Sequence, residues 1–117
     1  MTTDVPACLF CRIVAGEIPA EIVHETVGTL AFRDVNPQAP THILVVPRTH
    51  YDDVGALAAA DATLLNEVIQ AAVAAAAAAG LDSGYRLVTN TGADAGQSVG
   101  HLHVHVLGGR SLGWPPG

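Results

Sequence analysis

Apolar residues recur along this chain in short runs whose spacing changes character from one segment to the next. From Cys8 to Ala15, Leu9, Phe10, Ile13 and Val14 gather on one side of a short helix that Gly16 closes. Ile18-Pro19-Ala20 turns into a strand, Glu21 to Glu25, and Val27-Gly28 links it tightly to a second strand, Thr29 to Asp34. In that second run Leu30 and Phe32 alternate with Ala31 and Arg33, so the pair reads as a hairpin. Two prolines fix the loop Asn36-Pro37-Gln38-Ala39-Pro40, and His42 to Val46 is a nearly continuous apolar run that predicts a buried central strand ended by Pro47. Leu64, Leu65, Val68, Ile69 and Val73 keep helical spacing, which predicts one long helix from Asp61 to Ala79, with Asp61 as N-cap and Gly80 just past its end. Tyr85 to Thr91 predicts a fourth strand, Gly92 to Gly100 a glycine-rich loop, and Leu102 to Leu107 the last strand. This order lacks the regular strand–helix alternation of a doubly wound sheet. It predicts an α+β fold: a five-stranded antiparallel sheet with one long and one short helix on one face.

The 117 residues suit a single domain, with residues 1–7 flexible and 108–117 an extended tail. Half the chain is hydrophobic but only 4% is aromatic, so the core must be built from Val, Ile, Leu and Ala. A lone domain of this size is modestly stable, and pairing with a second copy would help it. The formal charge of −6 argues against nucleic-acid and anionic-membrane surfaces as partners. With five Lys and Arg in all, a bound phosphate would rely on backbone N–H groups, hydroxyls and histidines. The sequence shows no leader and no bilayer-length apolar run, so a cytoplasmic protein is expected, in which Cys8 and Cys11 would not form a structural disulfide.

The chemistry concentrates in His101-Leu102-His103-Val104-His105. On a strand, alternate side chains share a face, so the three histidines line one side while Leu102, Val104 and Val106 face the core. Three readings are open: a polar outer face of an edge strand, a catalytic metal held by all three imidazoles, or a nucleophilic site. The preceding loop, Thr89 to Gly100, favours the last. Rich in glycine and small polar residues, it can expose successive N–H groups to a phosphate, and Ser98 lies close enough to His103 for its hydroxyl to reach the same group. His103 then attacks phosphorus, His105 donates to a non-bridging oxygen, and Ser98, with His42 in the relay, protonates a departing amine.

These residues resemble the histidine triad superfamily. The run from His101 to Leu107 resembles its His-x-His-x-His-x-x signature. Phe32 to His42, Val45 to His50, Gly96 to Val99, and Gly108-Gly109-Arg110 with Trp114-Pro115-Pro116-Gly117 resemble the Hint branch, so the similarity covers nearly the whole chain. The resemblance implies a homodimer with one sheet continuous across it, and hydrolysis of purine nucleoside phosphoramidates of the AMP and GMP type through a nucleotidyl-histidine. By position, it implies Asp34 on the ribose hydroxyls, and Leu9, Phe10, Ile13, Phe32, Val35 and Leu44 around base and ribose. Asn90, Gly96, Gln97, Ser98, His103 and His105 would surround the phosphate, His42 would be the fourth, supporting histidine to the triad His101, His103 and His105, and Trp114 would reach the partner's site. A dinucleoside polyphosphate hydrolase or nucleotidyl transferase, and a nucleotide-binding partner protein with little activity, are the alternatives.

Cys8-Leu9-Phe10-Cys11 has metal-ligand spacing. No strand precedes it, as a thioredoxin-like redox motif would require. Two cysteines leave a tetrahedral site incomplete, and His50 and His101 are the candidates to complete it; the alternative is two reduced thiols packed at the helix start. The resemblance implies a structural Zn2+ held by Cys8, Cys11, His50 and His101, with no metal needed for catalysis.

Overall fold

A computed structural model describes residues 7–117; the N-terminal stretch expected to be flexible lies, Ala7 apart, outside the described residues. Five strands form one antiparallel sheet: β1 (Ile22–Glu25), β2 (Thr29–Arg33), β3 (Thr41–Pro47), β4 (Tyr85–Val88) and β5 (Val104–Gly108), in the order β1-β2-β3-β5-β4. The continuous apolar run of β3 places it at the centre, where six of its seven residues are buried. The register sets two faces. Leu30 and Phe32 lie opposite Val46 and Leu44 on one side, and Ala31 lies opposite Val45 on the other.

The helices divide between those faces, which corrects the expectation that both pack on one side. Helix α3 (Ala62–Ala78) presses Val68, Ala71, Ala72, Ala75 and Ala76 onto Ala31, Ile43, Val45, Val104 and Val106. Helix α1 (Leu9–Val14) lies across the opposite face, where Phe10 packs with Leu30, Phe32, Leu44 and Val46. The alanine run therefore serves close approach of α3 to the sheet of its own chain. Gly80 ends the helix with φ 74°, as a C′ residue should. A second short helix, α2 (Val54–Ala60), was not expected. Its small residues give no amphipathic stripe, and Leu57 alone is buried, yet Asp53 caps it through Ala56 N–H. Asp61 ends α2 and caps α3 through Leu64 N–H.

The β1–β2 turn is pinned from behind. Glu67 of α3 accepts from Gly28 N–H at 2.7 Å and from the Thr26 hydroxyl at 2.6 Å, bonds that hold its carboxyl below the usual range. A Cβ at Gly28 would lie 2.8 Å from that carboxylate, so a larger residue there would push the ends of Glu67 and Leu64 aside. Strand β4 stops at Val88, and β5 begins only at Val104, after a 3₁₀ turn over Ala93–Ala95. His101 and His103 thus precede the hydrogen-bonded ladder, contrary to the strand expected from Leu102. Among the described residues no helix is long and apolar enough to cross a membrane.

Candidate active site and metal centre

The alternation expected of the histidine run survives outside the ladder. Leu102, Val104 and Val106 join the core under α3, whereas the His103 and His105 rings meet on the α1 side, with centroids 5.0 Å apart. Phe10 stands edge-on to His103 at 5.0 Å and to His101 at 6.0 Å.

Hydrogen-bond partners fix where each ring carries its proton. Gln38 N–H donates to His42 Nδ1 at 3.0 Å, so a neutral His42 bears hydrogen on Nε2. That atom lies 2.8 Å from His105 Nδ1, which must accept, leaving the His105 proton on Nε2. Asp34 Oδ2 stands 3.4 Å from the same His42 nitrogen. His103 Nδ1 lies 2.8 Å from the His101 carbonyl, which can only accept; His103 therefore donates from Nδ1 and keeps a lone pair on Nε2. Burial, reinforced by His103 and His42 nearby, pushes His105 down to about 4, against a smaller opposite pull from Asp34. Burial also lowers His42, and Asp34 only partly offsets it. Both rings are neutral at pH 7, so the proton order holds there.

A cavity of about 360 Å³ opens beside these rings. Leu9, Phe10, Ile13, Phe32, Asp34, Val35, Leu44, Ser98, His103 and His105 border it, as expected for a pocket between α1 and the sheet. His42 stands behind His105. Ile18, Pro19, Ala20, Arg33 and Val99 border it too. Ile18-Pro19-Ala20 reads in sequence as a mere turn, and only its return beneath α1 makes it a wall. Asn90, Gly96, Gln97 and Trp114 lie away from this wall. The Gln97 amide instead knits the loop: its oxygen accepts from Gly92 N–H at 2.9 Å, and its nitrogen donates to the carbonyls of Asp52 at 2.7 Å and Val99 at 3.1 Å. Trp114 is 82% exposed, with the Arg86 guanidinium 6.0 Å from its ring centre. A larger hollow, about 470 Å³, lies between residues 80–86 and 109–112 and contains none of the histidines.

The cysteines form a second centre. Cys8 Sγ is 3.4 Å from His101 Nδ1, and Cys11 Sγ is 3.2 Å from His50 Nδ1 and 3.5 Å from His101 Nδ1; all four donor atoms lie within 4.8 Å of one another. Tetrahedral zinc with bonds of 2.0–2.3 Å requires donor separations of about 3.5 Å, so the spacing fits. The outer partners fit as well. His101 Nε2 donates to the Pro47 carbonyl at 2.9 Å and His50 Nε2 to Asp52 Oδ1 at 3.0 Å, which turns both Nδ1 lone pairs inward. Asp34, His42 and His105 also cluster, but Gln38 N–H occupies His42 Nδ1, and a metal on Nε2 would demand an imidazolate. The hydrogen bonds of that second group do not suit an ion.

The HIT domain model matches residues 15–112. The chain belongs to the HIT domain family. An uncharacterized HIT-like protein of Synechococcus elongatus is 51% identical over 93% of this chain and 96% of its own length. A 14 kDa zinc-binding protein of Zea mays is 46% identical over 93% of this chain and 87% of its own. The crystal structure of a HIT family hydrolase from Legionella pneumophila superposes with a TM-score of 0.90 at 49% identity, covering 94% of this chain and 99% of that one. The antiparallel HIT sheet expected from the sequence is thereby established.

Proposed function

We propose that this HIT domain hydrolyses purine nucleoside 5′-phosphoramidates of the AMP and GMP type by way of a nucleotidyl-His103 intermediate. The observation that carries the reading is the 2.8 Å contact of His103 Nδ1 with the His101 carbonyl: it engages the Nδ1 hydrogen and leaves Nε2 as the atom available to a substrate. The apolar walls from Leu9, Phe10, Ile13, Phe32, Val35 and Leu44 suit a base and ribose, and Asp34 suits the ribose hydroxyls. His103 Nε2 attacks phosphorus, the P–N bond breaks, and the amine leaves with a proton relayed through the Ser98 hydroxyl. Charge on the non-bridging oxygen is met by His105 Nε2–H, whose position is enforced through His42 by Gln38 N–H. Water then attacks the phosphorus, the P–N bond to His103 breaks, the proton water loses restores the Ser98 relay, and the nucleoside monophosphate leaves. Asn90, Gly96 and Gln97 would act by shaping the loop behind Ser98.

Cys8, Cys11, His50 and His101 would hold Zn2+, whose contribution is to cross-link α1 to the segments around His50 and His101; no reaction step passes through it. Two copies would pair through the outer edge of β4 and the exposed apolar residues of α3. The opposite edge, β1, is blunted by a register shift between Ile22 and His24, whereas β4 is regular and Val73 on α3 is 42% exposed. Trp114 would then meet the partner's site. The acidic charge is in keeping with a cytoplasmic enzyme. Adenosine phosphoramidate with an amine leaving group is the test substrate. His103→Asn is expected to lower turnover at least about 10³-fold and to leave AMP affinity within about threefold, read by product release and by calorimetry. Cleavage of a diadenosine polyphosphate without release from the phosphoramidate would refute the reading.

A further inference from the structure

The metal centre and the pocket are built from the same short pieces of chain. Leu9 and Phe10, which wall the pocket, are the two residues between the ligands Cys8 and Cys11. The ligand His101 also supplies the carbonyl that fixes His103. The third link runs through the loop: Gln97 donates to the Asp52 carbonyl, and Asp52 Oδ1 holds the ligand His50. Finally, Leu9, Ser98 and Val99 border both the pocket and a hollow of about 430 Å³ over Cys8, His50 and Asp52. Leu9, Phe10 and His103 are therefore one or two residues from a metal ligand, and Ser98 is next to Gln97, which bonds the residue that holds the ligand His50.

We infer that the Cys8–Cys11–His50–His101 centre tunes the pocket's affinity for nucleotide, so that Zn2+ and a nucleoside monophosphate bind this chain cooperatively. The inference rests on the nucleotide reading above. Without metal, the Cys8–Cys11 segment is free to shift Leu9 and Phe10, and the His50 arm no longer steadies the loop that carries Ser98. A nucleotide binding such a chain must first order those parts, and that ordering lowers its affinity. Linkage makes the effect reciprocal: whatever factor zinc adds to nucleotide binding, nucleotide adds to zinc binding.

The test uses the full chain, with Zn2+ and AMP as probes and calorimetry as the readout. Zinc-loaded protein is expected to bind AMP about fivefold or more tightly than chelator-stripped protein whose fold is verified by circular dichroism. Saturating AMP should tighten zinc by the same factor. Asp52→Asn, a change at a side chain 81% exposed, is expected to weaken zinc about tenfold and to keep that AMP dependence. Should the stripped chain unfold, cadmium-loaded protein replaces it, since longer metal–sulfur bonds displace the Cys8–Cys11 segment in a folded chain; AMP should then bind it more weakly than the zinc form. Equal AMP affinity with and without zinc, or with cadmium in its place, overturns the coupling. Failure of AMP to bind the zinc-loaded chain overturns the nucleotide reading first, and the inference with it.

Discussion

At the scale of single residues, the behaviour of this site is set by where hydrogens sit on four imidazoles. His105 is the sharpest case. Burial depresses it to about 4 from an ordinary value near 6.5. Between those two values the unfolded chain binds a proton that the folded chain refuses, so the contribution of His105 to stability is complete above about pH 6.5 and is lost as pH falls toward 4. The melting temperature of wild type should thus fall from pH 7 to pH 4.5, and His105→Asn should lose less over that window. Equal losses in the two proteins would contradict the assignment. What the sequence alone could reach at this scale was the list of histidines and their shared side. It could not reach the tautomers, because the groups that dictate them are the carbonyls of Pro47 and His101 and the amide of Gln38, which no side-chain motif encodes.

At the scale of elements, periodicity located β2, β3 and α3 to within a residue or two, since a regular stripe of large apolar side chains carries its own signal. It failed at α2, where Val54-Gly55-Ala56-Leu57-Ala58-Ala59-Ala60 offers one large buried side chain and no stripe. It also overran β4, because Thr89 leaves the ladder: its hydroxyl bonds the His103 carbonyl and begins the loop. The alanines of α3 are the feature most open to test. Ala72 and Ala76 are fully buried against the sheet, so there is no room for a longer side chain. Ala76→Leu should cost about 1–3 kcal/mol in denaturant unfolding. Ala78→Leu, at an exposed position on the same helix, should change stability by less than about 0.5 kcal/mol.

For the whole molecule, the sheet with α3 on one side and the site on the other leaves β4 as the regular edge and Ile69 and Val73, one helical turn apart, as apolar surface on α3. If copies pair there, Ile69→Glu combined with Val73→Glu should give a monomer by light scattering while AMP still binds. A monomeric wild type would remove both the dimer and the proposed reach of Trp114. The sequence pointed to assembly only through its modest size and its resemblance to the histidine triad superfamily. It did place Cys8 and Cys11 with His50 and His101, but not the bridge from Gln97 to the Asp52 carbonyl, because no side-chain motif encodes a bond to a distant peptide group.

The main-chain wiring of the imidazoles has a consequence for how such a site is mapped. Three of the atoms that choose these tautomers belong to the peptide backbone, so truncating the side chains of Pro47 or Gln38 removes none of them. Alanine scanning is blind to these contacts. They become visible only to changes that alter the peptide itself, such as a proline at position 38 or an ester bond replacing a single amide, and neighbouring positions are free to drift in composition while the chemistry stays put.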